Sequence, residues 1–244
     1  MVSLKRSIST VIILTSLLMS CSDDDIVGRA ESHTFESEST GKYETVFIYY
    51  PEEHTAAIPV IYLLNGMGAD ASAWGSGINL ARQADRLGVM LVSLTAGFNQ
   101  YVNHPSDSSK QMADFVLEVV TEVESLYGIE IVRQNRALCG ISNGGGGAIY
   151  LLSHYSNRFQ AAGCLSGSVY TGINFEGLVS KGIRIDVGTE DTSVLTSLRW
   201  LDGKLRDEHI NHAYYEHAGG HNWDFWKKYA PEQLEFLQER IAVQ

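Results

Sequence analysis

Residues 137–151 read ALCGISNGGGGAIYL and contain the pattern Gly-x-Ser-x-Gly between an apolar run and a helix-forming run. The first run predicts a buried strand and the second a helix, so Ser142 falls on the sharp turn between them. Such a turn strains the backbone and lifts the serine Oγ out of the sheet. Glycine is needed at 140 and 144 because side chains there would collide with the neighbouring strand and helix. The segment therefore predicts a nucleophilic serine, the alternative being a Gly-rich turn with a capping serine.

The rest of the chain alternates apolar runs with amphipathic stretches. Further strands are expected near residues 46–50, 60–64, 89–92, 161–165, 183–187 and 213–215. Helices are expected near 80–87, 112–123 and 223–242, where apolar residues recur at helical spacing. The length of 244 residues fits one large α/β domain. We therefore expect the α/β-hydrolase fold, with a mainly parallel central sheet and helices on both faces.

A nucleophilic serine needs a general base, and the chain contains eight histidines. Hydrolases of this fold order their triad as serine, acid and histidine, so the base should follow the last strand. His221 has that position, and we assign it as the base, with His217 as the alternative. A metal pair formed by these two histidines is not favoured, because Gly219 and Gly220 between them oppose the helix that would align both rings.

The triad acid is expected on the loop after the penultimate strand. Gly188-Thr189-Glu190-Asp191 follows the strand at 183–187 and offers two carboxylates. We assign Asp191 as the acid, which would hold the histidine tautomer and stabilise the imidazolium. Asp186 within the strand and the adjacent Glu190 remain alternatives.

Two backbone N–H groups are expected to form an oxyanion hole. One belongs to Asn143, the residue after the nucleophile, and the other is expected from the Gly-rich loop at 65–68, where we assign Met67. A simple Gly-rich turn is the alternative for that loop. The polar loops around 95–109 and 166–182 are candidates for the rim of the site.

The composition argues against several partners and cofactors. Eighteen basic and 29 acidic residues give a formal charge of −11, and no basic cluster exists to bind nucleic acid. The chain lacks a phosphate-cradling Gly-Lys-Ser/Thr run and a Cys/His metal cluster, so we expect no cofactor and no metal. Cys139 and Cys164 end apolar runs and are expected in the core, although a disulfide between them stays open.

The N-terminal segment predicts export and a lipid anchor. Lys5 and Arg6 precede an apolar run over 11–19, which is shorter than the roughly 20 apolar residues of a membrane-spanning helix. Leu18-Met19-Ser20-Cys21 resembles a bacterial lipobox, in which Cys21 would be diacylated and become the new N-terminus. The alternative is a plain secretory signal with an incidental cysteine.

These features divide the chain into three parts. We expect a lipoprotein signal peptide at 1–21, a polar tether at 22–40 and the catalytic domain at 41–244. The acidic run at 22–25 resembles the export tag of surface lipoproteins, or serves as a solvated tether. The expected location is the bacterial cell envelope, on its periplasmic or surface face, with membrane contact only through the lipid on Cys21.

Five blocks of the sequence together resemble the esterase family that includes esterase D, tributyrin esterases, and feruloyl and acetyl xylan esterases. The blocks lie at 62–67, 103–105, 140–145, 188–191 and 219–226, and the last, GGHNWDFW, is the most specific. The resemblance implies the α/β-hydrolase fold and Ser142, Asp191 and His221 as the triad. Two departures are Asn65, where family members often have histidine, and the short segment between 168 and 183, which predicts a small or absent cap.

These observations predict a serine carboxylic-ester hydrolase that works through an acyl-enzyme. The expected location favours short acyl or hydroxycinnamoyl esters of extracellular carbohydrates. A siderophore-ester hydrolase or an acyltransferase of the same fold is an alternative, because fold and triad do not fix the acceptor. From another class, a catalytically silent lipoprotein could hold a glycan. Its candidate sugar contacts are Trp74, Phe98, Tyr101 and Trp223.

Overall fold

A computed structural model describes residues 28–129 and 133–241 of the protein. Eight strands form one sheet in the order β1-β2-β4-β3-β5-β6-β7-β8. The strands are β1 Arg29–Ser37, β2 Lys42–Tyr50, β3 Val60–Leu64, β4 Met90–Leu94, β5 Arg136–Ile141, β6 Ala161–Leu165, β7 Gly182–Gly188 and β8 Ala213–His217. Strands β1 and β2 pair antiparallel, as do β2 and β4, and all remaining pairs are parallel. The predicted mainly parallel sheet is confirmed.

Helices cover both faces of this sheet, as predicted. They are α1 Ala73–Gly77, α2 Leu80–Leu87, α3 Met112–Tyr127, α4 Asn143–His154, α5 Leu195–Asp207 and α6 Trp223–Ile241. Because side chains alternate along a strand, Tyr62 belongs to the core cluster on the face covered by α3, α4 and α5, whereas Ile61 and Leu63 belong to the cluster on the face covered by α2 and α6. None of the helices in the described ranges is long and apolar enough to cross a membrane.

The predicted tether at 22–40 is wrong from residue 29 onward, because Arg29–Ser37 forms strand β1 at the edge of the sheet. This strand alternates as an edge strand should. His33, Phe35 and Ser37 are buried, and the residues between them are exposed. Since two of the three inward side chains are polar, the pattern does not stand out as apolar. The folded domain therefore includes residues 29–37, which precede the predicted start at 41. The predicted signal peptide and Cys21 lie outside the described residues.

The carboxyl ends of the parallel strands carry the loops that matter for function. Ser142 follows β5 near the centre of the sheet, and the loops after β3, β7 and β8 end at the same edge. The segment between β6 and β7 contains one short 3₁₀-helix, Phe175–Leu178. It is too short to form a cap over the site, in agreement with the prediction.

Both core cysteines are free thiols. Cys139 and Cys164 are buried on neighbouring strands, and the register pairs Cys139 with Gly163 rather than with Cys164. The disulfide that the sequence left open is therefore absent from this pair.

Candidate active site

Ser142 occupies the strained turn that the sequence predicts. Its φ of 54° and ψ of −118° place a non-glycine residue in a conformation that side chains rarely adopt. A Cβ atom at Gly140 would lie 2.0 Å from the Gly144 carbonyl oxygen, and one at Gly144 would lie 2.0 Å from that of Leu64. Both glycines are therefore required by close backbone approach, as expected from the motif.

The structure brings Ser142, His221 and Asp191 together in one hydrogen-bonded chain. His221 Nε2 lies 2.8 Å from Ser142 Oγ, and His221 Nδ1 lies 2.7 Å from Asp191 Oδ2. The three side chains come from the turn after β5, the loop after β7 and the loop after β8. Trp226 packs edge-on against the His221 ring, with centroids 5.1 Å apart. This geometry allows His221 to accept a proton from Ser142 while Asp191 orients the ring.

Asp191 is buried but remains ionised. Burial raises the pKa of its carboxyl, yet hydrogen bonds from Ser193 and His221 outweigh that effect, so that the pKa lies below its ordinary value. Ser193 donates its hydroxyl at 2.5 Å and its backbone N–H at 3.3 Å, both to Oδ1. The other carboxylate oxygen is left for His221. The support from Ser193 was not predicted from the sequence.

His217, the alternative base, belongs to a different His–Asp pair. Its Nε2 lies 2.7 Å from Asp186 Oδ1, and its ring stacks on Tyr229 with centroids 3.9 Å apart. Arg184 and Gln233 also donate to the buried Asp186 carboxylate. His217 and Asp186 therefore belong to a separate hydrogen-bond network with Arg184 and Gln233.

Glu190, the remaining alternative for the acid, does not reach His221. Glu190 is exposed and contributes its backbone N–H to the Gly219 carbonyl at 2.9 Å. His217 and His221 bind separate carboxylates, and among residues 28–129 and 133–241 no cluster of three or more metal-ligating side chains occurs. Asp191 is thus the carboxylate that reaches His221.

The loops that carry Asp191 and His221 are joined by their backbones. Thr189 N–H donates to the His217 carbonyl at 2.7 Å, one residue before the Glu190–Gly219 bond. A Cβ atom at Gly188 would lie 2.1 Å from the Gly219 carbonyl oxygen, so glycine permits this approach. The β7–β8 pairing therefore continues into the site and fixes the distance between Asp191 and His221.

The two candidate oxyanion donors belong to segments next to Ser142. Asn143 is the first residue of α4, and the loop of Met67 approaches Ser142 closely, since a Cβ atom at Gly66 would lie 3.6 Å from Ser142 Cβ. Neither the Met67 N–H nor the Asn143 N–H donates a turn or loop hydrogen bond within the described part of the chain. Both groups are thus available to a substrate oxygen.

Asn65, which stands where members of the resembled family often have histidine, connects the loop of Met67 to strand β4. Its side-chain nitrogen donates to Ser93 Oγ at 3.0 Å and to the Leu94 carbonyl at 2.9 Å. Ser93 Oγ in turn donates to the Ala71 carbonyl at 2.6 Å. Asparagine therefore anchors the loop to strand β4 without a histidine.

The rim of the site is open and partly apolar. Met67 is 54% exposed and Phe98 is 83% exposed, and Phe98 packs over Gly68 in the loop of Met67. A groove of about 520 Å³ runs from Gly68 to Trp223, two residues after His221. Trp74, one of the candidate sugar contacts, is fully buried and cannot touch a ligand, and the same holds for Tyr101.

A strained serine turn hydrogen-bonded to a His–Asp pair at the carboxyl edge of this sheet is the arrangement typical of serine hydrolases of the α/β-hydrolase fold. The sequence profile of the family described as "Putative esterase" matches residues 37–178, more than half of the chain. The protein belongs to this family. It is a serine esterase, which hydrolyses carboxylic esters.

Proteins similar to this chain include several that are named as esterases. An acetyl esterase of Caldicellulosiruptor saccharolyticus is 22% identical over 224 residues, which cover 75% of this chain and 84% of that protein. A ferulic acid esterase structure superposes with a TM-score of 0.79 at 20% identity, covering 89% of this chain and 100% of that one. A mutant feruloyl esterase module from Clostridium thermocellum, complexed with sinapinate, gives a TM-score of 0.72 at 16% identity, covering 91% and 92% of the two chains. Both esterase structures therefore have the same fold as this protein.

Proposed function

We propose that Ser142, His221 and Asp191 form the catalytic triad of this esterase. Ser142 Oγ attacks the ester carbonyl carbon while its proton passes to His221 Nε2, and a tetrahedral intermediate forms. The intermediate collapses, the carbon–oxygen bond to the alcohol breaks, and the alcohol leaves with the proton from His221. Water then attacks the acyl-enzyme with His221 as the base, which releases the acid and restores the Ser142 hydroxyl. The observation that carries this proposal is the Ser142–His221–Asp191 hydrogen-bond chain.

The same proposal assigns the oxyanion hole to the N–H groups of Asn143 and Met67. Negative charge develops on the carbonyl oxygen in each tetrahedral intermediate, and two donors fixed before the reaction stabilise it without reorganisation. The position of Asn143 at the start of α4 adds the positive end of a 12-residue helix.

We also propose that the natural substrates are short acyl or hydroxycinnamoyl esters of extracellular carbohydrates. The short segment between β6 and β7, with Phe175–Leu178 as its one helical element, leaves room for a bulky alcohol and supports this proposal. The groove between Gly68 and Trp223 is lined by Asp70, Ser72 and Lys227, which are side chains suited to sugar hydroxyls. Exposed Phe98 offers an aromatic surface near the site for a cinnamoyl ring. The names of the acetyl and feruloyl esterase relatives point to the same acyl groups.

A two-part ester panel tests the substrate proposal. Hydrolysis of 4-nitrophenyl esters of C2 to C8 acids and of ferulic acid, by residues 26–244, ranks the acyl group. Acetylated and feruloylated oligosaccharides, compared with methyl esters of the same acids, rank the alcohol. We expect a higher kcat/KM on the oligosaccharide esters. A clear preference for the small esters would contradict the carbohydrate part of the proposal.

We further propose that Cys21 carries a lipid that anchors the enzyme to the cell envelope. Support comes from the basic start, the short apolar run and the lipobox-like Leu18-Met19-Ser20-Cys21. Expression of the full chain in a bacterial host with an alkyne analogue of palmitate should label the wild type and not Cys21→Ala. Cys164→Ala is the matched control and should keep the label. Equal labelling of Cys21→Ala would refute the anchor.

A further inference from the structure

Tyr170, in the loop after β6, contacts the residue that supplies one oxyanion N–H group. Its hydroxyl lies 2.8 Å from the Asn143 carbonyl oxygen and 2.7 Å from Asn143 Oδ1, and it can donate to either. The Asn143 side chain also donates to the Asn99 carbonyl at 2.9 Å. Asn143 is therefore held from two loops, and its backbone has little freedom to rotate.

Tyr101 makes the equivalent contact with the loop of Met67. Its hydroxyl donates to the Asn65 carbonyl at 3.0 Å, two residues before Met67, and accepts from Ala96 N–H at 3.3 Å. Its backbone N–H donates to the Tyr170 hydroxyl at 3.3 Å. The two tyrosines thus form one continuous connection from Asn65 to Asn143.

The connection is buried and keeps its hydrogens. Tyr101 is 0% exposed and Tyr170 is 5% exposed. Burial raises the pKa of both phenolic hydroxyls well above the ordinary value, so they remain donors at any pH the enzyme meets. Because both tyrosines are buried, removing either hydroxyl takes a hydrogen-bond donor away from a buried carbonyl group.

We propose that Tyr101 and Tyr170 are positioning residues that fix the distance between the Met67 and Asn143 N–H groups of the oxyanion hole. Neither tyrosine touches the reacting atoms. They act by holding the peptide groups on both sides of Ser142 at the separation that a tetrahedral oxyanion requires. This inference rests on the proposed roles of Met67 and Asn143.

The test compares Tyr170→Phe and Tyr101→Phe with a matched variant, Tyr62→Phe. Tyr62 is also fully buried, and its hydroxyl donates to Glu124, a contact outside the active site. Each substitution removes one buried hydroxyl and keeps the ring. The measurements are kcat and KM on 4-nitrophenyl acetate, the Kd of a boronic acid that forms a tetrahedral adduct with the nucleophile, and the thermal midpoint.

Loss of an oxyanion donor costs about 10²–10³ in kcat, and a displaced donor costs less, so we expect kcat to fall about tenfold in the two site variants. The boronic acid should bind weaker by a similar factor, while KM stays within about twofold because the ground state uses these donors less. Tyr62→Phe should lose stability and keep its kcat and boronic acid affinity.

Two results would overturn the inference. One is a kcat of both folded site variants within twofold of that of Tyr62→Phe. The other is a fall in kcat that Tyr62→Phe shows to the same extent and that comes with an equal change in KM. Such a result would indicate a general effect of removing a buried hydroxyl. If Tyr170→Phe does not fold, Tyr101→Phe decides the question at the other end of the connection. Ser142→Ala separates the failure of this inference from the failure of the proposed function. Full activity of Ser142→Ala would refute the proposed triad, whereas an inactive Ser142→Ala with unchanged tyrosine variants would refute only the positioning role.

Discussion

Replacing Asp191 by asparagine should remove the base function of His221 while leaving the site intact. Asp191 Oδ1 accepts two hydrogen bonds from Ser193, and Oδ2 accepts one from His221 Nδ1–H. An amide has only one acceptor oxygen, and two donors from Ser193 will hold it on their side. The amide nitrogen then faces His221 Nδ1 and donates to it. The ring proton must move to Nε2, where it prevents His221 from accepting the Ser142 proton.

The expected loss is large. The wrong histidine tautomer in a triad of this kind lowers kcat by about 10⁴, or about 5.5 kcal/mol in activation free energy. The assay is steady-state hydrolysis of 4-nitrophenyl acetate, with circular dichroism and a thermal scan to show that the variant is folded.

Asp186→Asn is the matched control, because it changes the acid of the other His–Asp pair. Asp186 is fully buried with Arg184, His217 and Gln233 as donors. Removing its charge should cost about 3 kcal/mol of unfolding free energy, at the low end for a buried pair because Arg184 keeps a bond to Glu232. That corresponds to a fall of about 6–12 °C in thermal midpoint. We expect kcat to change by less than about tenfold. A larger kcat loss in Asp186→Asn than in Asp191→Asn would refute the assignment of the two pairs.

Three further predictions follow from the packing and the charges of the site. Gly144→Ala should destabilise the fold by about 3 kcal/mol or more in urea denaturation, since its Cβ would lie 2.0 Å from the Leu64 carbonyl oxygen. Gly203→Ala, with open space around it in helix α5, should be neutral or stabilising by up to about 1 kcal/mol; a similar loss in both would contradict the close approach. Folding lowers the pKa of Asp191, so its ionised carboxylate stabilises the fold fully at pH values above the unfolded-state pKa. This stabilisation is lost as the pH falls from the unfolded-state pKa through the lower folded-state pKa. The unfolding free energy of Asp191→Asn should therefore fall less steeply than that of wild type below about pH 5, and parallel curves would count against an ionised Asp191. Phe98→Ala should lower kcat/KM for methyl ferulate about 2- to 10-fold more than for 4-nitrophenyl acetate, and an equal effect on both would show that Phe98 does not contact the acyl group.

The sequence predicts those parts of the site whose geometry depends only on neighbouring residues. Ser142 is predictable because the turn requires glycine at 140 and 144, and the sequence has glycine at both positions. The helix ends were equally accessible, as at Gly88, where α2 stops with a φ of 62°. The choice of His221 used only the chain order of the triad in this fold.

Contacts between distant segments were not predictable in the same way. Asp186 and His217 lie 31 residues apart and Asp191 and His221 lie 30 apart, so spacing alone cannot say which acid serves which histidine. The continued pairing of the β7 and β8 loops decides it. The Tyr170 contact with Asn143 likewise depends on how two loops meet.

Strand β1 shows a different reason for failure. Its inward positions include His33 and Ser37, so a composition rich in serine, glutamate and threonine suggested a tether. The strand is nevertheless held in place by nine paired positions with β2 and by Glu118, which accepts from Ser37 Oγ at 2.6 Å. An edge strand needs few apolar residues when backbone pairing and one helix supply its contacts.

The most direct test of the central claim is covalent labelling by a fluorophosphonate. The Ser142 oxygen would attack phosphorus, an oxygen–phosphorus bond would form, and fluoride would leave. Intact-mass and peptide mass spectrometry should show one phosphonyl group, on Ser142, added at the same rate at which ester hydrolysis is lost, and Ser142→Ala should show neither label nor hydrolysis. A label on another residue that accounts for the inactivation, or hydrolysis retained by Ser142→Ala, would contradict a Ser142 nucleophile.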